Sequence, residues 1–379
     1  MAIRIGVPKE TLEGERRVAL VPGILKQFID RLGAELMLEK SAGEASGFDD
    51  DAYPGVMLLD TADELYAQAD IVLKVQPPSI DEVNKLKEGS LLIGFLAPHT
   101  GDERIHALNA RKITSLAMEL VPRISRAQSI DALSSQGNIA GYKAVLMAAN
   151  LSGRLFPMLT TAAGTIRPAK VVVIGAGVAG LQAIATARRL GAIVEAYDVR
   201  SATKEQCESL GAKFIDTGVK AEGEGGYARE LTDEEKAQQA SVLADHIAQA
   251  DAVISTAAIP GRPAPKIIDT ATVERMKRGA VIVDLAAETG GNCELTRAGE
   301  TVDHNGVLIH GPRNVPSTVA VHASEMYARN LYNLLSLIVQ DGELTLDFDD
   351  QVIADSCLTH AGETKHEPTR QRLQGGTPS

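Results

Sequence analysis

The segment from Lys170 to Arg200 constrains the fold of this sequence more than any other. An apolar strand ending at Ile174 is followed by the turn Gly175-Ala-Gly-Val-Ala-Gly180, a helix, and a second strand that ends at Asp198. In a dinucleotide-binding βαβ unit, the first glycine permits a tight turn, the second lets the backbone approach a pyrophosphate, and the third lets the helix pack against the strand. The phosphates would lie at the helix N-terminus, where unpaired N–H groups favour negative charge. The alternative is a glycine-rich helix start in an α/β core that binds nothing.

Asp198 bears on which dinucleotide this site would take. It lies at a strand end eighteen residues after Gly180, where a carboxylate can accept hydrogen bonds from both hydroxyls of the adenosine ribose. The same carboxylate would repel a 2′-phosphate, which favours NAD over NADP. Arg200 weakens this preference, because a neighbouring arginine is how such folds accommodate a 2′-phosphate.

Composition excludes several other classes of protein. The chain of 379 residues carries a formal net charge of −12 and is 3% aromatic, so it lacks the basic surface and the stacking residues of nucleic-acid-binding proteins. Its three cysteines show neither a disulfide framework nor a metal spacing, and we predict no metal site. The sequence starts without a signal peptide, and no apolar run reaches the roughly 18 residues that span a bilayer. We therefore expect a cytoplasmic protein without direct membrane insertion.

Short apolar runs alternate with amphipathic helices along most of the chain, which is typical of doubly wound α/β domains. Before residue 120 we expect strands at 3–8, 34–39, 71–75, 90–95 and 113–119, and helices at 22–32, 61–69, 79–88 and 102–111. After residue 170 we expect strands at 171–175, 193–198, 212–215, 251–256, 280–285 and 307–310, and helices at 178–190, 202–210, 232–249 and 269–277. An apolar helix over 317–340 would return the chain to the first domain, and the tail beyond Thr364 would be frayed.

The predicted fold class is therefore α/β, with two Rossmann-like doubly wound parallel-sheet domains flanking a cleft. Residues 1–134 and 315–379 would form an N-terminal α/β domain completed by the C-terminal helix, and residues 135–314 a Rossmann NAD-binding domain. The glycine-rich interval 216–231 is long for a loop inside a compact domain. Gly226 and Tyr227 would close over a bound nucleotide, or the interval is a solvated loop with one incidental aromatic residue.

A polar stretch from Pro122 to Lys143 concentrates arginines, amides, hydroxyls and an acid ahead of a helix. Such side chains are costly to bury without hydrogen-bond partners. They would line a polar crevice that meets ribose hydroxyls and a carboxamide, or they would cap and join two domains. The nucleotide fold that follows favours the crevice.

At this stretch the sequence resembles a known family, the NAD-binding first domain of the alpha subunit of proton-translocating nicotinamide nucleotide transhydrogenase. The resemblance covers nearly the whole chain, and the run Arg123-Ile-Ser-Arg-Ala-Gln-Ser129 is its most specific part. The other segments that carry it are Gly6–Glu10, Arg17–Ala19, Gly175–Gln182, Ala258–Pro265 and Asp284–Asn292.

The resemblance implies a set of site residues. The catalytic residues would be Arg123, Gln128, Asp131 and Ser134, which would contact the nicotinamide and its ribose, with Gln128 reaching towards a second nucleotide. Others would lie along the pyrophosphate (Gly177, Val178), at the adenosine ribose (Asp198, Arg200) and near the adenine (Gln239, Ala258). The full cofactor-binding set is Arg123, Ile124, Ser125, Gln128, Ser129, Ile130, Asp131, Gly175, Ala176, Gly177, Val178, Gly180, Asp198, Val199, Arg200, Gly226, Tyr227, Gln239 and Ala258.

Alanine dehydrogenases resemble the chain more distantly, and in them a lysine, an arginine and a histidine hold and protonate a keto acid. The chain keeps Lys74 and Arg17, but Ala97 stands where the histidine would be. Glu288 stands where these enzymes carry an aspartate. Oxidising an amino acid requires proton transfer, whereas passing hydride between two nicotinamides does not. We therefore expect Lys74 and Arg17 to be relics that pair with carboxylates, and His99 to replace the lost histidine only through a local shift.

The resemblance implies an enzyme component that binds NADH and passes hydride to NADP⁺ on a partner domain. Membrane-spanning partner subunits would couple the transfer to proton translocation and would hold the chain, as a homodimer, peripherally at the inner face of the membrane. The alternatives are an alanine dehydrogenase-like enzyme and a non-catalytic NAD-sensing module.

Overall fold

The structure, a computed structural model, describes residues 2–218, 232–259 and 261–375. Contacts divide the chain into two compact units. Unit 1 comprises the residues through Gln136 together with those from Ser317 onwards, and unit 2 comprises Gly137–Pro316. Among the described helices, none is both long enough and apolar enough to cross a membrane.

Strands and helices alternate through most of the chain. The strands are β1 (Arg4–Val7), β2 (Glu35–Glu39), β3 (Met57–Leu59), β4 (Ile71–Leu73), β5 (Leu91–Gly94), β6 (Thr114–Ala117), β7 (Leu159–Thr161), β8 (Gly164–Ile166), β9 (Lys170–Ile174), β10 (Ile193–Tyr197), β11 (Lys213–Phe214), β12 (Ala252–Ser255), β13 (Val281–Asp284), β14 (Thr301–His304), β15 (Val307–His310), β16 (Val339–Gln340), β17 (Glu343–Leu344), β18 (Cys357–His360) and β19 (Glu363–Thr364). The α-helices are α1 (Ala62–Gln68), α2 (Ile80–Lys85), α3 (Asp102–Ala110), α4 (Ala132–Leu151), α5 (Val178–Arg189), α6 (Lys204–Ser209), α7 (Asp233–Ala248), α8 (Thr270–Glu274), α9 (Ala320–Ile338), α10 (Gln351–Ser356) and α11 (Glu367–Leu373).

The sheet of unit 2 has the strand order of a dinucleotide-binding fold. Its order is β11-β10-β9-β12-β13-β15-β14, and all pairs are parallel except β14 with β15. Counted along the chain, the parallel strands read 3-2-1-4-5-6, with the reversal between β9 and β12. The run Val171–Val173 is buried completely because helices cover both faces of such a sheet. In folds of this kind, ligands bind beyond the carboxyl ends of the strands at the reversal.

The sheet of unit 1 repeats this order. Strands β1 to β6 are all parallel in the order β6-β5-β4-β1-β2-β3, and the antiparallel strands β18 and β19 extend the sheet beyond β6. Helix α9 packs on the core of this unit through Leu331, Leu334, Leu335 and Ile338, which share one face at helical spacing. The predicted fold class, α/β with two Rossmann-like parallel sheets, is confirmed.

The prediction of a frayed tail beyond Thr364 is wrong for residues 367–373, which form α11. Thr369 is 1% exposed, and its hydroxyl donates to the carbonyl of Pro98 (2.9 Å). Arg372 donates from Nη1 to the same carbonyl (2.9 Å). The charged sequence of this segment did not indicate that it would be buried, because the surface that it covers lies 271 residues earlier in the chain.

The predicted helix over 22–32 is helical but irregular. It contains a 3₁₀ turn at Pro22–Ile24 and a π-helical turn at Gln27–Arg31. The strand β3, the edge strand β14 and the C-terminal strands β18 and β19 were not expected from the sequence. Each is at most four residues long, which is too short for an alternating pattern to stand out.

Candidate dinucleotide site

The glycine turn of unit 2 has the shape that a pyrophosphate requires. Gly175 has a φ of +90°, which side chains other than glycine rarely adopt. A Cβ at Gly180 would lie 1.7 Å from the carbonyl oxygen of Gly175, so only glycine lets α5 pack this close to the end of β9. A Cβ at Gly177 would meet nothing within 4 Å. The second glycine thus leaves open space, as the approach of a phosphate to the backbone demands.

The first turn of α5 is available to an anion. Its N-cap is Gly177, which has no side chain to accept hydrogen bonds from the first N–H groups, and no acidic residue lies in the first turn. Val178, the first residue of the helix, is 41% exposed. Unpaired N–H groups and the positive end of the helix dipole favour a bound phosphate at such a terminus.

Asp198 follows β10 directly and is nearly buried. Its carboxylate accepts from the backbone N–H of Ala176 (2.7 Å) and from the backbone N–H (2.9 Å), Nε (2.9 Å) and Nη2 (3.0 Å) of Arg200. Burial acts to raise the pKa of Asp198, but these hydrogen bonds outweigh it and hold the pKa below its ordinary value. The ionised carboxylate therefore joins the end of β10 to the glycine turn. The carboxylate also binds Arg200. The Arg200 side chain would have to break its hydrogen bonds with Asp198 to bind a 2′-phosphate.

Three aligned strand ends bring several predicted residues to one edge of the unit 2 sheet. Ile174 of β9 is level with Tyr197 of β10 and with Ser255 of β12. The glycine turn follows the first of these strands, Asp198 the second and Ala258 the third. Ala258 is exposed at this edge.

The remaining predicted residues of unit 2 are less informative. Gln239 is half-buried on α7, and the side chain of Val199 is exposed beside Asp198. Gly226 and Tyr227, the predicted closing pair, lie outside the described residues. The lid hypothesis stays a prediction.

In unit 1, the loop 122–131 is anchored to elements that follow much later in the sequence. Ala127 and Ile130 are buried in the hydrophobic core. The carbonyl of Ser129 accepts from Nδ2 of Asn330 (2.8 Å) and from Nδ2 of Asn333 (3.0 Å), both on α9. The loop is therefore held at its buried side chains and at one of its backbone carbonyls.

Arg126 adds a third anchor to this loop. Its guanidinium donates both Nη groups to the carboxylate of Asp350, with Nη1 at 2.8 Å. Arg123 and Gln128, by contrast, are exposed, and their side chains have no hydrogen-bond partner in the part of the chain that the structure describes. Two of the four residues that the resemblance assigns to the nicotinamide and its ribose thus have their donors available on an anchored backbone.

Asp131 and Ser134 contact each other at the start of α4. Asp131 accepts from the backbone N–H of Ser134 (2.9 Å) and from its hydroxyl (2.6 Å), which is a helix N-cap arrangement. Both residues are half-buried. Ile130 is 2% exposed, so only its backbone is accessible to a ligand.

Arg17 is a buried cation whose charge is neutralised within unit 1. Its guanidinium donates to Glu15 from Nε (2.9 Å) and Nη2 (2.7 Å), and to Oε1 of Gln136 from Nη1 (2.9 Å). Gln76 also donates to Glu15 (2.7 Å). Burial acts to raise the pKa of Glu15, but Arg17 outweighs it and lowers the pKa to about 2. Glu15 therefore stays ionised and paired with Arg17 throughout the physiological pH range.

Lys74 is neutralised in the same way. It is 1% exposed, and its Nζ lies 2.6 Å from Oε1 of Glu82 and 3.6 Å from Oε2 of Glu10. The hydroxyl of Tyr66 donates to the same oxygen of Glu82 (2.7 Å). The expectation that Arg17 and Lys74 pair with carboxylates is confirmed.

Ala97 occupies a left-handed backbone conformation, with φ at +49°. Its N–H and that of Leu96 donate to the buried carboxylate of Glu119 at 2.7 Å and 2.9 Å, which holds a conformation that is uncommon for residues other than glycine. His99 is exposed, and its ring centroid lies 6.3 Å from that of His366. The histidine nearest to position 97 therefore contacts the segment that leads into α11.

The cysteines and possible metal ligands of the described residues suggest no further chemistry. In residues 2–218, 232–259 and 261–375, no group of three or more His, Cys, Asp or Glu side chains could hold a metal ion. All three cysteines are buried, and burial raises the pKa of Cys207 and Cys357 to about 11. These two thiols stay protonated at neutral pH and are poor nucleophiles.

Sequence reasoning missed the residues that hold the candidate site in place. Thr256 donates from Oγ1 to the carbonyls of Ile174 and Gly175 (3.1 Å each) and so fixes the start of the glycine turn. Its position directly after a buried strand was a usable signal. Asn330 and Asp350 carried no local signal, because they lie 201 and 224 residues from their partners in the loop 122–131.

Comparison with known proteins finds relatives over nearly the whole chain. Two family models match, "Alanine dehydrogenase/PNT, N-terminal domain" over residues 6–140 and "Alanine dehydrogenase/PNT, C-terminal domain" over residues 144–367. The chain is 48% identical over 377 residues to a Rhodospirillum rubrum protein named as the first portion of NAD(P) transhydrogenase subunit alpha, a match that covers 96% of this chain and 98% of the relative. It is 31% identical over 336 residues to the alanine dehydrogenase of Mycobacterium tuberculosis, 83% of each chain.

A solved structure is also similar. The crystal structure of transhydrogenase from Sinorhizobium meliloti matches with a TM-score of 0.87 and 44% sequence identity. The match covers 95% of this chain and 99% of that chain.

Proposed function

The chain belongs to the alanine dehydrogenase/PNT family, and we propose that it is the NAD(H)-binding component of a proton-translocating NAD(P) transhydrogenase. Within the family, this choice is supported by the pairing of two buried cations with carboxylates. Arg17 and Lys74 are both buried and both neutralised by carboxylates of unit 1. Neither is available to hold a keto acid, and Ala97 provides no imidazole to move a proton.

The proposed reaction passes hydride directly from NADH to NADP⁺ held on a partner domain. Bound NADH supplies the hydride, and the protein orients it. The two nicotinamide carbons must come within about 3–3.5 Å, so holding one of them in place accounts for most of the catalysis. The reacting carbons exchange no proton. A general acid or base is therefore unnecessary, in agreement with the alanine at position 97.

We assign the pyrophosphate and the adenosine to unit 2. The N–H groups of Gly177 and Val178 would donate to the pyrophosphate, since no side chain caps this end of α5. Asp198 would accept from the hydroxyls of the adenosine ribose in place of the hydrogen bonds that the Arg200 side chain donates. Residues near the adenine would be Gln239 and Ala258, with Gly226 and Tyr227 closing over the nucleotide.

We assign the nicotinamide and its ribose to the loop 122–131 and the first turn of α4. Arg123 and Gln128 supply exposed donors without a described partner, which suits a carboxamide. Asp131 and Ser134 would hold the nicotinamide ribose once their mutual hydrogen bond is shared with its hydroxyls. Gln128 would also reach the second nucleotide.

The proposal implies partners. The relatives are named as subunits, so we expect an NADP(H)-binding domain and a membrane-spanning subunit to complete the enzyme, with proton coupling outside this chain. We further propose that the chain is a homodimer held by these partners at the cytoplasmic face of the membrane.

The decisive experiment mixes the purified chain with a separately prepared NADP(H)-binding domain. Hydride transfer from NADPH to an NAD⁺ analogue with a distinct reduced spectrum should appear only when both proteins are present. Steady oxidation of alanine with NAD⁺ by the chain alone would instead favour an amino-acid dehydrogenase. Binding of NADH without transfer in the mixture would favour an NAD-sensing module.

A further inference from the structure

Asn292 is buried completely at the carboxyl edge of the unit 2 sheet, at the end of the Asp284–Asn292 segment that follows β13. Its Oδ1 accepts from the hydroxyl of Ser255 (2.6 Å) and from the N–H of Ala257 (3.1 Å). Its Nδ2 donates to the carbonyls of Ala257 (2.7 Å) and Pro265 (2.9 Å). A primary amide offers two lone pairs and two N–H donors, so all of its hydrogen-bonding capacity is used.

The backbone of Asn292 is fixed by a second buried side chain, Asp284, the last residue of β13. The carboxylate accepts four hydrogen bonds, from the N–H groups of Ala286 (3.1 Å), Asn292 (2.7 Å) and Cys293 (3.0 Å) and from Oγ1 of Thr296 (2.6 Å). These donors satisfy the carboxylate without a cation. The carbonyl of Asn292 in turn accepts from the N–H groups of Ile267 (2.8 Å) and Ile268 (3.0 Å). The amide is therefore held in one position.

Ala257 connects this amide to the glycine turn. It follows β12, whose last residue, Ser255, is level with the end of β9. A Cβ at Gly175 would lie 2.7 Å from Oγ1 of Thr256 and 3.3 Å from the backbone nitrogen of Ala257. Thr256 and Ala257 therefore pack directly against the turn. Among the described side chains, Asn292 alone bonds both backbone polar groups of Ala257.

We propose that Asn292 is a positioning residue for dinucleotide binding. Its amide holds the backbone of Ala257 in a fixed position beside the glycine turn and also bonds the carbonyl of Pro265. The residue touches no nucleotide itself, because it is buried behind the backbone that it positions. This inference rests on the proposed function, since it requires that the turn binds NADH.

The test replaces Asn292 with aspartate, which preserves the shape of the side chain. An ionised carboxylate has no N–H, so the oxygen that replaces Nδ2 would face the carbonyls of Ala257 and Pro265 and be repelled by them. We expect the dissociation constant for NADH, measured by fluorescence titration, to rise about tenfold. The rate of hydride transfer to the partner domain at saturating NADH should stay within twofold, because the nicotinamide contacts are unchanged. A variant that only weakened the fold would not raise the dissociation constant for NADH while leaving the rate of hydride transfer unchanged.

Asp251→Asn is the matched control. Asp251 is buried at the opposite end of β12, where it accepts from the N–H of Lys170 (2.9 Å) and pairs with Lys277 (3.0 Å). This variant should lower the unfolding temperature and leave the dissociation constant for NADH within twofold. An Asn292→Asp protein that binds NADH as tightly as the wild type would overturn the proposal. So would equal losses of binding in the two variants at equal losses of stability.

If Asn292→Asp does not fold, Ser255→Ala tests the positioning role of Asn292 instead. It removes only the hydroxyl that donates to Oδ1 of Asn292. We expect a rise of about threefold in the dissociation constant for NADH, and an unchanged constant would overturn the proposal. A wild-type chain that failed to bind NADH would refute the proposed function itself, an outcome distinct from normal wild-type binding with insensitive variants.

Discussion

At the scale of single residues, Arg17 and Lys74 say most about the reaction. A buried cation costs several kcal/mol in desolvation unless a carboxylate and further hydrogen bonds compensate it. Arg17 has Glu15 and Gln136, and Lys74 has Glu82 and Glu10. The compensating groups all come from the chain itself, so a substrate carboxylate would have to displace them.

Glu15→Gln alone should destabilise unit 1 by about 3–5 kcal/mol, because it removes the carboxylate charge that Glu15 supplies to the buried guanidinium of Arg17. The double variant Glu15→Gln/Arg17→Met should be clearly more stable than the sum of the single changes predicts, since it removes both charges together. Urea unfolding of the two single variants and the double variant measures this difference. Additive losses would contradict the compensation described for this pair.

Gln128 is the residue whose replacement should separate binding from transfer. Gln128→Asn shortens the side chain by one methylene and would misplace the nicotinamide, for which about 1 Å costs roughly a hundredfold in rate. We expect hydride transfer to slow by about 10- to 100-fold, with the dissociation constant for NADH within threefold of the wild type. Single-turnover kinetics with the partner domain and a fluorescence titration give the two numbers. Gln68→Asn on α1 is the control and should change neither, whereas equal losses for Gln128→Asn would assign the residue to binding alone.

At the scale of elements, the loop 122–131 illustrates how a site is held by distant parts of the chain. Asn330 and Asn333 on α9 bind the carbonyl of Ser129, and Asp350 before α10 binds Arg126. These anchors leave the exposed donors of the loop unpaired in the described residues. The C-terminal segment from Ser317 onwards is therefore part of the machinery that presents the loop.

Helix α11 offers an element-scale prediction. Thr369→Val keeps the volume of a side chain that is 1% exposed but removes the hydroxyl that donates to Pro98 and contacts Nδ1 of His366 (2.8 Å). The loss of these buried hydrogen bonds should destabilise unit 1 by about 1–3 kcal/mol. Gln371→Ala on the exposed face of the same helix should stay within about 0.5 kcal/mol of the wild type. Thermal unfolding compares the two, and equal stabilities would mean that α11 contributes little.

At the scale of the whole molecule, the two units share a strand order and differ in what their carboxyl edges carry. In unit 2 the edge carries a glycine turn with open space at Gly177 and an uncapped helix. In unit 1 the strand β1 leads towards a cluster of buried charges around Glu15 and Lys74. The edge of unit 2 therefore offers space for the proposed dinucleotide, whereas the buried charged side chains of unit 1 pair with one another.

The sequence by itself determined the fold class, most of the parallel strands and the glycine turn, because these depend on patterns within one strand, turn or helix. It also identified Asp198, whose place after β10 follows from chain distance alone. Only the tertiary structure decided that Gln136 completes the hydrogen bonding of Arg17, that the loop 122–131 is anchored and that Asn292 bonds the backbone of Ala257. These interactions join groups 119, 201 and 35 residues apart in the chain, for Arg17 with Gln136, Ser129 with Asn330 and Ala257 with Asn292. Which of these groups meet is set by how the helices and loops pack on each sheet, and no local pattern encodes that packing.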